Sequence, residues 1–270
     1  MKNKKIAIIG AGNMGGAIAV GLLKSGFVPV SNILVSDPKE ENIREMEAIG
    51  ITACESNNIA VQNADVLILA VKPYHIENVI KDIKLDLTPD KILISVVAGV
   101  GINELEKMAG ESISIFRVMP NTAIALQESL TCISSNSNAS KHKAFIIEMF
   151  NNLGKTIEIP EELMAAATVL SSCGIAYALR YIRAAMQGGV EIGFTAEMAQ
   201  FITAQTVKGA VELILQTGNN PELEIDKVTT PQGITIAGLN EMEHKGFSSS
   251  LIQGMLASYK KIKISRNSLE

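Results

Sequence analysis

Apolar residues along this chain follow two rhythms, and the change comes near Pro160. In the first half, short runs rich in Ile and Val and almost free of charge stand at 5–10, 33–36, 65–71, 92–97 and 113–119. Strands buried on both faces of a parallel sheet read this way. Between them lie segments with helical spacing at 14–25, 40–49, 76–83 and 102–108. A weaker continuation follows, with a strand at 130–134, a helix at 141–153 and a strand at 155–159. Repeated strand–helix units predict an α/β fold, a doubly wound sheet with helices on both faces. Beyond Pro160 the strand pattern stops. Helices are predicted at 161–192, at 195–217 with Thr195 as N-cap and Gly218 as C-cap, at 230–245 and at 248–263, with a short segment at 221–227. The expected division is therefore 1–160 and an all-helical 161–270.

Composition narrows the function. At 270 residues and 47% hydrophobic, the chain can build two modest cores. A net charge of −4 provides no general attraction to nucleic acid or to an anionic membrane. The basic clusters Lys2-Asn3-Lys4-Lys5 and 259–263 read as solvated termini. Cys54, Cys132 and Cys173 are far apart, as are His75, His142 and His244, so neither a disulfide framework nor a metal site is implied, and a reducing cytoplasm fits. The charged start runs directly into a short strand, so no secretory signal is expected. Segment 163–179 carries no charge, but it is short for a membrane span and includes Thr168, Ser171, Ser172 and Gly174. A helix apolar on every face belongs in a core or an oligomer interface, which is the expectation here.

Gly10-Ala11-Gly12-Asn13-Met14-Gly15 matches the pattern GxGxxG. The pattern is weak alone, but its context is specific: it follows a strand, opens a helix, starts a strand–helix–strand unit, and has an acid, Asp37, at the end of the second strand, 22 residues past Gly15. Gly10 permits the tight turn, Gly12 leaves room for a pyrophosphate, and Gly15 lets helix and strand pack closely. The amides at the helix start then hold the phosphates. This is a Rossmann-type dinucleotide site. Asp37 can accept bonds from ribose hydroxyls and repels a 2′-phosphate, which favours NADH over NADPH; alternatively, Asp37-Pro38 caps the following helix. The loops Val71-Lys72-Pro73, Ala98-Gly99 and Met119-Pro120-Asn121 stand at strand carboxyl ends, where they should also line the cofactor. Lys72, with no visible partner, reads as a ribose or structural contact.

In the second half, Thr230 suits a helix N-cap and Pro231 a first helical position, while Gly233 stands where a capping box would place Glu. The amides of Gln232, Gly233, Ile234 and Thr235 could then receive a small carboxylate. The alternative is a capped interface helix. Cys173 reads as a packing cysteine, since no base accompanies it.

Here the chain resembles the pyrroline-5-carboxylate reductase family. The resemblance rests on Thr230-Pro-Gln-Gly-Ile-Thr-Ile236, Ile9-Gly-Ala-Gly-Asn-Met14, Val71-Lys-Pro73, Arg117-Val-Met-Pro-Asn-Thr122 and Ala204-Gln-Thr206 with Gly209-Ala210, in consistent order over nearly the whole chain. Gln232 replaces the first glycine of the family's pair and Ile234 a small residue, and the family's Gly-Ser-Gly-Pro-Ala-Tyr reads Ser172-Cys173-Gly174-Ile175-Ala176-Tyr177. The resemblance implies reduction of the imine Δ1-pyrroline-5-carboxylate by NAD(P)H, with the substrate carboxylate on the amides of Gly233, Ile234 and Thr235. It also implies a hydrogen bond from Thr235 Oγ1 to the ring nitrogen, and a helical domain that dimerises through interlaced helices. Rival readings are a reductase of another small imino or keto acid and a cofactor-binding regulator without turnover. A 3-hydroxyacid dehydrogenase typically needs a lysine on the long helix, and 161–192 has none.

Overall fold

The apolar runs of the first half become strands of one eight-stranded sheet in the order β3-β2-β1-β4-β5-β6-β7-β8. A computed structural model describes residues 4–267; Lys2 and Asn3 of the first basic cluster lie outside the described residues. The strands are β1 (Ile6–Ile9), β2 (Ile33–Ser36), β3 (Thr52–Ala53), β4 (Val66–Leu69), β5 (Ile92–Ser95), β6 (Ser114–Met119), β7 (Ser129–Ser135) and β8 (Gly154–Glu158). All pairs are parallel except β6 with β7. Every residue of β1, β2, β4, β5 and β6 is buried, as expected where helices cover both faces.

The helices of this part are α1 (Asn13–Ser25), α2 (Glu40–Ala48), α3 (Asn57–Gln62), α4 (Ile76–Ile83), α5 (Ile102–Ala109), α6 (Lys143–Asn151) and α7 (Met164–Ala167). Two apolar layers result. Ile6, Ile8, Ile68 and Ile94 turn one way, toward Ile18 and Leu22 of α1 and Ile146 and Phe150 of α6. Ala7, Ile9, Leu67 and Leu93 turn the other way, toward Val61 of α3, Ile80 of α4 and Leu105 of α5. The alternation follows from the two-residue period of a strand.

The predicted helix 161–192 is not uniform. It opens as a 3₁₀ turn at Glu161–Leu163, passes through α7, widens into a π-helix at Thr168–Cys173, and resumes as α8 (Gly174–Glu191). Thr168 Oγ1 donates to Met164 O at 2.7 Å, a back-bond of the kind that disturbs a regular helix. Further on come α9 (Ala196–Thr217), α10 (Pro221–Lys227), α11 (Ile234–His244) and α12 (Phe247–Asn267). α9 ends as predicted. Thr195 Oγ1 accepts from Met198 N, and Gly218 adopts a left-handed φ of 69°.

The chain forms two compact units, one running to Cys173 and taking in the chain from Tyr259 on, the other Gly174–Ser258. The first holds the sheet and nearly all of the core. The second has a single buried apolar residue, Ala199, among its described residues, whereas Phe201, Leu215, Ile192 and Ile252 are exposed by 73, 72, 77 and 54%. Helices that cannot bury their apolar faces within their own chain need another surface to bury them against. Among the described residues one helix, Glu161–Glu191, is long and apolar enough to cross a membrane by length and composition.

Candidate active site

The glycine loop runs from the end of β1 into α1, and its three glycines have different spatial roles. Gly10 holds φ +94°, and a Cβ there would stand 2.9 Å from Ala70 O. A Cβ on Gly15 would stand 1.8 Å from Gly10 O and 3.1 Å from Ala70 Cβ, so strand, turn and helix close up only around glycine. Gly12 is the opposite case, with nothing within 4 Å of an added Cβ. Open space at the middle glycine and none at the outer two is what a diphosphate laid across a helix start requires. Gly12 is also the N-cap of α1 and no side chain caps it, so the amides of Asn13, Met14 and Gly15 face that space without helical acceptors. These residues fit a dinucleotide.

Asp37, half-buried, is tied to this loop. Its Oδ2 accepts from Ala11 N at 2.7 Å and its Oδ1 from Lys39 N at 2.8 Å. The helix-cap alternative is not what forms: α2 begins at Glu40 with Lys39 as N-cap. Behind Asp37, buried Ser36 donates to Asn57 Oδ1 at 2.9 Å and fixes the start of α3 against β2. Of the other predicted cofactor residues, Val71 lies 3.2 Å from the position a Gly10 Cβ would take, Lys72 is exposed, and Pro73 opens a 3₁₀ turn. Ala98 is exposed and Gly99 has φ +87°, in the loop between β5 and α5. Met119, Pro120 and Asn121 are buried. Asn121 is used by its own surroundings, with Oδ1 accepting from Ala123 N at 3.1 Å and Nδ2 reaching Ser171 O at 3.4 Å. It holds the loop after β6 against the π-helix, a role sequence reading did not assign.

The predicted substrate segment differs in register. The helix starts at Ile234, not at Thr230. Gly233 N donates to Thr230 O at 2.9 Å and closes a turn with Pro231 second and Gln232 third, the latter left-handed at φ +57°. Gly233 is then the extended N-cap, and a Cβ on it would meet Thr230 Oγ1 at 2.5 Å. The amide of Gly233 is therefore used in the turn. With no side-chain cap, the unmet amides are those of Ile234, Thr235 and Ile236. Ile234 is 95% exposed, and Thr235 and Gln232 are exposed.

A cavity of about 550 Å³ lies elsewhere, lined by residues including Ile102, Glu106, Asn136, Glu158, Glu161 and Glu162, with no residue of the glycine loop. A diphosphate needs aligned amides and open space, which the glycine loop offers and this hollow, with Glu106, Glu158, Glu161 and Glu162 in its lining, does not. Burial pushes the thiols of Cys54, Cys132 and Cys173 up from their ordinary value, so none is an activated nucleophile. Among the described residues no group of His, Cys, Asp or Glu could hold a metal ion.

Comparison with known proteins now bears on these two helix starts. Residues 161–264 match a family model described as pyrroline-5-carboxylate reductase dimerisation, and residues 5–99 one described as NADP oxidoreductase coenzyme F420-dependent. Pyrroline-5-carboxylate reductase 2 of Dictyostelium discoideum is 40% identical over 96% of this chain and 92% of its own length. The chain belongs to the pyrroline-5-carboxylate reductase family. Pyrroline-5-carboxylate reductase 1 of the same organism is 43% identical over 94% of this chain, which spans 48% of that longer relative. A crystal structure of Plasmodium falciparum pyrroline carboxylate reductase with NADP bound is similar with a TM-score of 0.92, at 31% identity over 98% of this chain and 99% of that one. Membership also explains the exposed apolar faces of the second unit, since the matched region is a dimerisation domain. The same match covers the long apolar helix.

Proposed function

We propose that this protein reduces the C=N bond of Δ1-pyrroline-5-carboxylate to give L-proline, using NAD(P)H, as a homodimer or larger homo-oligomer. The observation that carries the reading is the uncapped start of α11, three unmet amides beside an exposed hydroxyl, in a chain of this family that also has an open dinucleotide loop. The amides of Ile234, Thr235 and Ile236 hold the substrate carboxylate, and the turn Thr230–Gln232 with Gly233 presents them. Thr235 Oγ1 hydrogen-bonds the ring nitrogen and orients the imine. Gly10, Gly12, Asn13, Met14 and Gly15 hold the cofactor diphosphate, and Asp37 the adenosine ribose. Val71, Lys72 and Pro73, with Ala98, Gly99, Met119, Pro120 and Asn121, frame the rest. When bound, the nicotinamide supplies the hydride. An imine nitrogen is protonated without a strong acid nearby, so the protein's part is orientation and exclusion of water.

Asp37 favours NADH. Its oxygens each take one backbone amide and retain capacity for a ribose hydroxyl, while its charge repels a 2′-phosphate. The test is oxidation of NADH and of NADPH by the purified oligomer with Δ1-pyrroline-5-carboxylate and with a panel of 3-keto acids, followed at the nicotinamide absorbance. The expected result is turnover of the imino acid alone, with higher kcat/KM for NADH. Cofactor binding without turnover overturns the activity, and a tenfold NADPH advantage overturns the preference. Thr235→Ala should slow turnover and leave cofactor binding intact; equal loss of both would remove its assigned role.

A further inference from the structure

Outside the two helix starts, a partly buried ion pair joins elements far apart in sequence. Arg117, in the middle of β6, has a side chain only 5% exposed, and its Nη1 donates to Glu161 Oε1 at 2.6 Å. The same Oε1 accepts from Ile102 N at 3.2 Å. Ile102 is the first residue of α5, and its amide has no acceptor inside the helix. The neighbouring amide, Gly101 N, is held by Glu104 Oε2 at 2.6 Å. Two carboxylates thus fix the start of α5, and only Glu161 comes from a distant element. The loop they fix contains Ala98 and Gly99. Arg117 is in register with Ser95, the last residue of β5 before this loop, and stands two residues before Met119.

We propose that Glu161 is a positioning residue for the reductase reaction, its carboxylate, anchored on buried Arg117, holding the 98–101 loop in the place from which it lines the cofactor. This rests on the reading under Proposed function. The pair is not a generic clamp. Arg117 Nε and Glu161 Oε2 are buried without partners among the described residues, so the one shared oxygen carries the connection. Stability alone does not require this arrangement, because apolar residues of similar volume replace buried ion pairs readily. What an apolar replacement cannot supply is an acceptor for Ile102 N that is fixed relative to β6.

Glu161→Met alone strands a buried guanidinium and can unfold the chain, so the main variant is Arg117→Met with Glu161→Met, which leaves no side-chain oxygen to accept from Ile102 N. Hydrogen–deuterium exchange of the ligand-free protein should show the amides of residues 97–102 exchanging about tenfold faster, while β1 and β4 keep wild-type protection. With the imino acid, kcat should fall about tenfold, the scale of a sub-ångström misplacement, while the cofactor Kd changes by less than about threefold. Glu161→Asp keeps the charge but withdraws it by one methylene, and should fall between on both readouts. It carries the test if the double variant does not fold. Wild-type exchange at 97–102 and wild-type kcat in a folded variant overturn the proposal. So does uniform loss of protection with kcat per folded site unchanged, which marks a purely structural role. A wild-type chain that turns over no imino acid removes the underlying reading instead, so the two failures are distinguishable.

Discussion

Replacing Gly15 with alanine and Gly12 with alanine are the same chemical change three residues apart, yet the structure predicts different outcomes. The new Cβ at Gly15 would stand 1.8 Å from Gly10 O and 2.9 Å from Gly10 C, both backbone atoms of the turn itself. An ordinary contact needs roughly 3.4 Å, so the start of α1 must retreat by about 1.5 Å. Overpacking of this kind costs about 1–3 kcal/mol, and each kcal/mol lowers Tm by roughly 2–4 °C in a domain of this size. The retreat also pulls the amides of Asn13 and Met14 from the diphosphate. Gly12 has an ordinary φ of −69° and open space around it, so its alanine should shift stability by less than about 0.5 kcal/mol. Its methyl group occupies the room the diphosphate needs, and a tenfold rise in cofactor Kd corresponds to about 1.4 kcal/mol. Thermal unfolding without ligand and a fluorescence titration with NADH separate the cases: Gly15→Ala should lose both stability and affinity, Gly12→Ala affinity alone. A Gly15→Ala protein that melts with the wild type, or a Gly12→Ala protein that binds NADH normally, would refute the assignment of the loop.

Gln232 holds a left-handed φ of 57°, a conformation costing a non-glycine residue about 1–2 kcal/mol, so Gln232→Gly should not lower Tm and should retain turnover; a marked fall in Tm would show that the Gln side chain is needed. Phe201→Asp, at a residue 73% exposed in a unit with almost no core of its own, should shift light scattering from the oligomer toward 28.8 kDa and lower Tm; an unchanged oligomer would place the interface on another face. Because burial holds the thiol of Cys132 above its ordinary range, less of it is thiolate at pH 8 than for a free thiol. Alkylation there should be slower than for glutathione and should accelerate as pH rises; a rate equal to glutathione's would contradict the buried placement.

How far the sequence disclosed this structure depends on whether the determining contact is local. The central strands were legible because burial on both faces leaves an uninterrupted apolar run, and α9 because Thr195 and Gly218 carry its caps in their own chemistry. β3 has two residues, neither of them buried, too little for a pattern. The antiparallel turn of β7 against β6 is a matter of pairing, which no periodicity encodes. Thr230-Pro231 has the chemistry of a helix start and forms a turn instead, because the left-handed Gln232 and the Gly233 cap delay the helix to Ile234. The π-helix and the Arg117–Glu161 pair depend on contacts such as Ser171 Oγ with Leu130 O and on partners 44 residues apart, beyond reach of local reading. The dinucleotide loop was legible because its geometry demands glycine at fixed positions. The apolar faces of the second unit were visible only in part, since the uncharged stretch 163–179 enters that unit at Gly174, and the surface that covers them is not encoded in any local pattern.

The claim on which the function depends most is that the uncapped start of α11 receives the substrate's carboxylate. A crystal structure of the oligomer grown with L-proline and oxidised cofactor tests it directly. Proline carboxylate oxygens are expected within about 3 Å of the amide nitrogens of Ile234, Thr235 and Ile236. Proline bound with its carboxylate on other groups, and those three amides facing only solvent, would contradict it.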